Sequence, residues 1–240
     1  MKYGCVLAAA DDRDCEILSE VNQVRVPTAV SLFEHPVNHE ITRTRQTFYN
    51  DRHGTCSVAA LSAILTETTD YWISDDAALK TYKELAGESD TGVTPKQVFD
   101  LARKDFFCGH LKPLLAYARV SIESLRYALA RIGAIYAVFK LPEHKFVTAD
   151  NPGYMDLKAS SSKPRYLHSV AILAYDRNYF FVRSWGRVYK VCDSFFKHYF
   201  VEAWALIVTP PNPNRCAVVR ASTVRKELNH AEIKEAFDRL

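Results

Sequence analysis

The chain has 240 residues and a mass of 27.3 kDa, enough for one large domain or two modest lobes sharing a cleft. Apolar residues make up 48% and charged residues 25%, ordinary globular proportions that exclude a disordered tail protein, a collagen-like fibre and a coiled coil. The formal charge of +3 is spread along the chain without a basic stripe, so neither nucleic acid nor an anionic membrane is expected as a partner.

No stretch approaches the ~18–20 apolar residues a membrane helix needs. The most apolar one, 128–139, is broken by Arg131 and Gly133. At the start, the apolar run 5–10 is too short for a secretory signal, so an unexported, cytoplasmic chain is expected. The six cysteines (5, 15, 56, 108, 192 and 216) include no CxxC pair and are too sparse for a disulfide scaffold. They are expected to be thiols in a reducing compartment, most of them buried. A metal site built from His35 and His39 with Cys5 or Cys15 has no complete four-ligand pattern, so no metal is expected.

Residues 1–50 are irregular, with Pro27 and Pro36 among strand fragments and loops. Residues 56–66, CSVAALSAILT, are small and apolar on nearly every side, which predicts a helix buried all round. Gly54 and Thr55 precede it as a tight turn and an N-cap candidate. Two further helices are predicted over 75–86 and 94–104, the second with Thr94 as N-cap and Pro95 in its first turn. A fourth is predicted over 121–132, capped by Ser121 and stopped by Gly133.

Beyond it the period changes. Residues 134–141, 167–174, 179–184 and 201–208 read as strands, with Asp176-Arg177-Asn178 as a hairpin turn. The segment from Pro210 onward is Pro-rich and then charged, with a peripheral helix predicted over 223–239. Helices first and strands after them give an α+β plan with two lobes.

The chemically informative segment is Asn50-Asp51-Arg52-His53-Gly54-Thr55-Cys56, which runs straight into the buried helix. A thiol at a helix N-terminus meets the positive end of the macrodipole and unpaired backbone N–H groups, which favour thiolate and can hold an oxyanion. An imidazole partner would complete a nucleophile–base pair. Of eight histidines, His168 stands apart because it opens an apolar strand, where a cleft residue would sit.

Cys at a helix start, His at a strand start and Ser-Trp-Gly on the next strand, in that order, resemble the papain-like cysteine peptidases of the short bacterial and viral type. Residues 3–14, YGCVLAAADDRD, look like the family's N-terminal stretch, and PTAVSL from Pro27 looks like the opening of the mature enzyme. HGTCSVAALSA is similar to the nucleophile helix, and Asp90-Thr91-Gly92 to the DSG that follows the second helix. SIESLRYALARIGAIYAVF resembles a later helix and strand, and LHSVAILAYDRNYFFVRSWG the strands carrying the catalytic His and the SWG motif.

The resemblance implies a papain-like two-lobe fold: an N-terminal extension over 1–26 as candidate autoinhibitory segment, a catalytic domain over 27–209, and a tail over 210–240. The helical lobe would span about 50–120 and the β lobe about 121–209. Cys56 would be the nucleophile and His168 the general base, a thiolate–imidazolium pair that attacks a peptide or isopeptide carbonyl without any cofactor. Partners would be protein or peptide substrates, ubiquitin-like ones included, in a bacterial or infected host cell.

Asn50, six residues before Cys56, stands where the family keeps its oxyanion Gln; a turn-forming Asn is the plain alternative. Trp185 matches the indole over the third triad member and equally suits a core. The third member itself falls on Arg183, which has no acceptor for the imidazole N–H and adds a positive charge. Ser57 replaces the usual aromatic after the nucleophile, Leu167 the Gly before the His, and the Gly-rich segment after SWG is cut to Arg187-Val188-Tyr189. Only residues 1–26 precede Pro27, so no long inhibitory propeptide is expected. Two functions follow: a cysteine peptidase, or a catalytically weakened papain fold kept as a peptide- or protein-binding module.

Overall fold

The structure, a computed structural model, describes residues 5, 30–31, 46–69, 71–88, 90–142, 154–155 and 164–208. The readings made for Cys15, His35, His39, the rest of the 1–26 extension and the tail beyond 209 lie outside these residues. The helices are α1 (Cys56–Thr68), α2 (Asp75–Ala86), α3 (Pro95–Lys104), α4 (Leu125–Arg131) and α5 (Asp193–Tyr199). The strands are β1 (Val30–Ser31), β2 (Phe106–Phe107), β3 (His110–Leu111), β4 (Leu114–Val120), β5 (Ile135–Pro142), β6 (Tyr154–Met155), β7 (Pro164–Tyr175), β8 (Tyr179–Ser184), β9 (Arg187–Cys192) and β10 (Phe200–Val208).

Most strands form one sheet in the order β4-β10-β5-β7-β8-β9-β6, with β1 also on β7 and β2–β3 a separate hairpin. Among the described residues, only the β6–β9 pairing of the large sheet is parallel. Side chains alternate across each strand, and both faces are covered. Along β5, Tyr136 and Val138 join the core shared with α1, α2 and α3. Ile135, Ala137 and Phe139 join a second core with α4 and α5. Burial on both sides is why this segment reads as an unbroken apolar run. The architecture is α+β, as the sequence implies.

α1 runs as expected, and every residue from Cys56 to Glu67 is buried. α2 has its predicted bounds. α3 begins at Pro95 with Thr94 as N-cap: Gln97 N–H donates to Thr94 Oγ1 (3.2 Å) and Thr94 N–H donates to Gln97 Oε1 (2.8 Å). α4 is shorter than predicted, because 122–124 form turns and Ser124, not Ser121, takes the cap position. Its end is as read: Gly133 (φ 124°) sends its N–H back to Ala128 O at 3.2 Å. The hairpin at Asp176 is held by its carboxylate, which accepts from the N–H groups of Asn178 and Tyr179, both at 2.8 Å. β4, β9 and α5 were not foreseen. Arg187-Val188-Tyr189, read as the remnant of a Gly-rich segment, instead begins β9.

Removal of the α3 capping box tests the local account. Thr94→Ala should cost about 1 kcal/mol, read as a lower urea midpoint at unchanged slope, and Gln97→Ala less than that.

Candidate active site

The loop entering α1 is braced from several sides. Phe48 and Tyr49 adopt left-handed backbone (φ 51° and 55°), and the Phe48 N–H donates to Asp75 Oδ1 at 2.7 Å. Gly54 N–H donates to Asp90 Oδ1 at 2.9 Å, and the Tyr82 hydroxyl donates to the same oxygen. The acidic residue of the Asp90-Thr91-Gly92 segment thus fixes the turn before Cys56. Thr55 occupies the N-cap position but makes no side-chain cap; its hydroxyl donates to Phe48 O at 2.9 Å. First-turn N–H groups of α1 are therefore not taken up by the Thr55 oxygen, and Cys56 opens the helix at the positive end of its dipole.

α1 lies against β7 where the candidate base sits. Ser57 donates to Val93 O (2.8 Å) and meets Ser169 Oγ at 3.4 Å; Tyr136 donates to that same Ser169 oxygen at 2.7 Å. Ser57 and Ser169 are the chain neighbours of Cys56 and His168, but with Ser169 facing α1 the His168 ring lies on the other face of β7, shared with Val170 and Ile172 of the second core, while Cys56 belongs to the first. Only a small residue at position 57 fits such a seam, which accounts for the missing aromatic.

His168 does not open its strand. The β5–β7 ladder continues to Pro142 opposite Pro164, which places His168 within β7, opposite Phe139. Its Nε2 lies 2.7 Å from Ser184 Oγ, and its ring stacks on Trp185 at 4.0 Å between centroids and 4° between planes. The ring is fully buried, and burial pushes its pKa down to about 3, so it is neutral near pH 7.

Arg183 neither turns outward nor orients the imidazole through an acceptor. Its guanidinium runs along the α1 side of the sheet, where Nε pairs with Glu67 Oε1 at 2.9 Å. It donates from Nη2 to Gln46 O at 3.2 Å and lies over the Phe48 ring at 5.3 Å. Both charges are buried, at 1% and 2% side-chain exposure. Trp185, read as the indole over the third triad member or as a core residue, packs in the second core with its ring stacked on His168.

Asn50 is 1% exposed, and its Oδ1 has no hydrogen-bond partner among the described residues. With Phe48, Ser169, Arg183, Ser184 and Trp185 it lines a recess of about 10 Å³, on the order of one water. The sequence reading gave no role to Glu67, took Ser184 only as part of the Ser-Trp-Gly motif, and weighed Cys5 only as a metal ligand. A lone acid in an apolar helix and a lone base in an apolar strand were a usable signal for the Glu67–Arg183 pair. Cys5 carried no such signal. It is buried, bridges Val93 in parallel, and its thiol is pushed up by burial, then by neighbouring Cys56. Ser169 and Ser57 hydrogen-bond to it and oppose that shift.

Breaking the buried pair should be expensive. Glu67→Ala strands the guanidinium and is expected to cost about 3–5 kcal/mol, measured by urea unfolding. Glu67→Leu combined with Arg183→Met should recover most of that loss.

No family model and no curated protein matches the sequence. Solved structures do match. Xylellain, a cysteine protease from Xylella fastidiosa, aligns over 85% of this chain and 95% of its own at TM-score 0.62 and 16% identity. A procathepsin B from Trypanosoma congolense aligns over 86% of both chains at TM-score 0.59 and 9% identity. A structure from a study of the mite allergens Blo t 1 and Der p 1 aligns over 80% of this chain and 75% of its own, at TM-score 0.55 and 12% identity. With the helix-start cysteine, the in-strand histidine and its stacked tryptophan in place, these likenesses give the chain the papain-like cysteine protease fold.

Proposed function

We propose that this chain is a cysteine-type peptidase that cleaves peptide or isopeptide bonds with Cys56 as nucleophile and His168 as general base. The observation that carries the reading is the buried His168 ring, stacked by Trp185 and held at Nε2 by a hydroxyl. Its strand meets the first turn of α1 through Ser57 and Ser169, while the ring lies on the opposite face of β7 beside Trp185, so on this reading the pair forms only when the His168 segment turns toward α1.

Because burial favours the neutral ring, the resting base is a neutral imidazole rather than the imidazolium of the pair the resemblance implies. On this reading Cys56 loses its proton to His168 as its sulfur bonds to the substrate carbonyl carbon. The carbonyl oxygen takes the electron pair, and the Cys56 N–H and the Asn50 amide would hold it. The imidazolium then protonates the leaving amine as the C–N bond breaks, and water activated by the same ring hydrolyses the thioester.

Cys56 and His168 both have no exposed surface, so this form is closed. Cys5, inside the 1–26 extension, sits in the same core as Cys56, and we assign that extension an autoinhibitory role. A binding-only module is the rival reading, motivated by the loss of the family Asn.

An epoxide or vinyl-sulfone thiol reagent separates the two. At neutral pH the peptidase reading expects modification at Cys56 at least about tenfold faster than at Cys108 or Cys192, and His168→Ala should abolish the difference. Labelling at a common rate, with no cleavage of unfolded protein, would leave the binding module. Deletion of 1–26 should accelerate labelling of Cys56.

A further inference from the structure

We infer that Trp72 and the β2–β3 hairpin form a tip that docks this chain on an anionic lipid surface. The tip adjoins the segment that follows the C-terminal end of α1, away from Cys56, and its role stands apart from any chemistry at that thiol.

Four large apolar side chains stand exposed among the described residues, and three of them gather here: Trp72 at 63%, Phe106 at 58% and Leu111 at 57%. Phe106 and Leu111 pair directly across the hairpin, so both project from its outer face, while Phe107 and His110 face inward. Trp72 is turned outward between buried Tyr71 and Ile73, and it lies beside the hairpin. His110 Nε2–H donates to Trp72 O at 2.9 Å, and the His110 ring packs edge-on to Tyr71 with 4.5 Å between centroids. One exposed apolar side chain is ordinary; three held together mark a contact surface.

The support beneath them is firm. Cys108 and Gly109 close the hairpin with left-handed backbone at both positions (φ 50° and 85°), as in a type I′ turn. Cys108 N–H donates to Thr81 Oγ1 of α2 at 3.2 Å, and Phe107 is fully buried in the core shared with α1.

Charge and shape together select the partner. Arg103 and Lys104 end α3 just before Phe106. Lys112 follows Leu111, and its N–H donates to Asp105 O at 2.9 Å. All three cations are exposed. Asp105 is the one acid between them, and its carboxylate accepts from the Phe106 N–H at 2.8 Å. The rim of the apolar patch is therefore net positive and complementary to a negative surface. An expectation drawn from a charge of +3 spread along the sequence does not register this grouping. The tip is also convex, since a Cβ at Gly109 would meet nothing within 4 Å. A fluid bilayer interface moulds itself around such a projection. Trp and Phe rings settle at headgroup depth, and Lys and Arg reach the lipid phosphates.

The test uses the full-length chain and vesicles of phosphatidylcholine, alone or with about one third phosphatidylserine. Flotation reads binding, tryptophan emission reads insertion, and thermal melting checks that each variant folds. Trp185 and Trp204 are buried, so a blue shift on binding reports Trp72. The wild type should float with the anionic vesicles and show that shift, and Trp72→Phe should lose the shift. Phe106→Ser with Leu111→Ser should weaken binding by about tenfold or more. Lys104→Glu with Lys112→Glu should remove the preference for phosphatidylserine, and added salt should weaken the wild type in the same direction. Failure of the wild type to float, or equal binding by both folded double variants, would overturn the inference. So would self-association in light scattering that Phe106→Ser with Leu111→Ser abolishes while no vesicle is bound, an outcome that gives the patch to a second copy of the chain. None of these results bears on the reactivity of Cys56, which thiol labelling tests separately.

Discussion

The packing of α1 against β7 and β8 is the constraint on which the rest depends. A helix buried on nearly every side lies close to a sheet only if its residues are small, and Ser57, Ala59, Ala60, Ser62 and Ala63 meet that demand. Burial also obliges each polar group to find a partner inside the protein. Ser57 reaches Val93 O, Thr68 reaches Ile64 O at 2.6 Å, and Glu67 reaches Arg183. The same helix therefore carries the candidate nucleophile at one end and a buried ion pair near the other. At 1.5 Å rise per residue, these ends lie roughly 16 Å apart.

That separation changes how the substitution at position 183 is understood. From the sequence, a cation at the third triad position threatens the base directly, by opposing imidazolium formation. In the fold its charge is drawn toward the C-terminal end of α1, where a cation is favoured by the helix dipole, and is neutralised there by a carboxylate. Arg and Glu67 depend on each other, since either alone would be a stranded buried charge. The position that the resemblance gives to an Asn thus holds half of a structural pair.

Much of the fold was legible. Continuous apolar runs marked β5, β7, β8 and β10 because both faces of the sheet are covered, and an apolar helix without a polar face marked α1. Other elements lacked such signals. β9, RVYKVC, alternates with charged residues, and α5, at seven residues, is too short to show a helical period. β4, LLAYARV, lies on the edge beside β10 with only partial burial. The candidate site was half legible. Residue type and order pointed to Cys56 and His168, but which side chain faces the ring depends on one skipped residue between Ile172 and Ala174. Register of that kind is set by pairing across strands and leaves no mark in composition or period.

Burial has a further consequence for the chemistry. A ring this deeply enclosed resists a positive charge, and its described contacts include a neutral hydroxyl and an indole face. On the peptidase reading, an imidazolium could then be sustained only while a negative charge forms beside it, first on the attacking sulfur and then on the substrate oxygen. Proton transfer and carbonyl attack would be coupled more tightly than in a site holding a preformed ion pair. Reactivity would be gated by substrate entry, because opening the cleft admits the carbonyl and also the polar surroundings that make charge separation affordable. On the peptidase reading, then, reactivity at Cys56 would depend on opening of the cleft by the reagent or substrate.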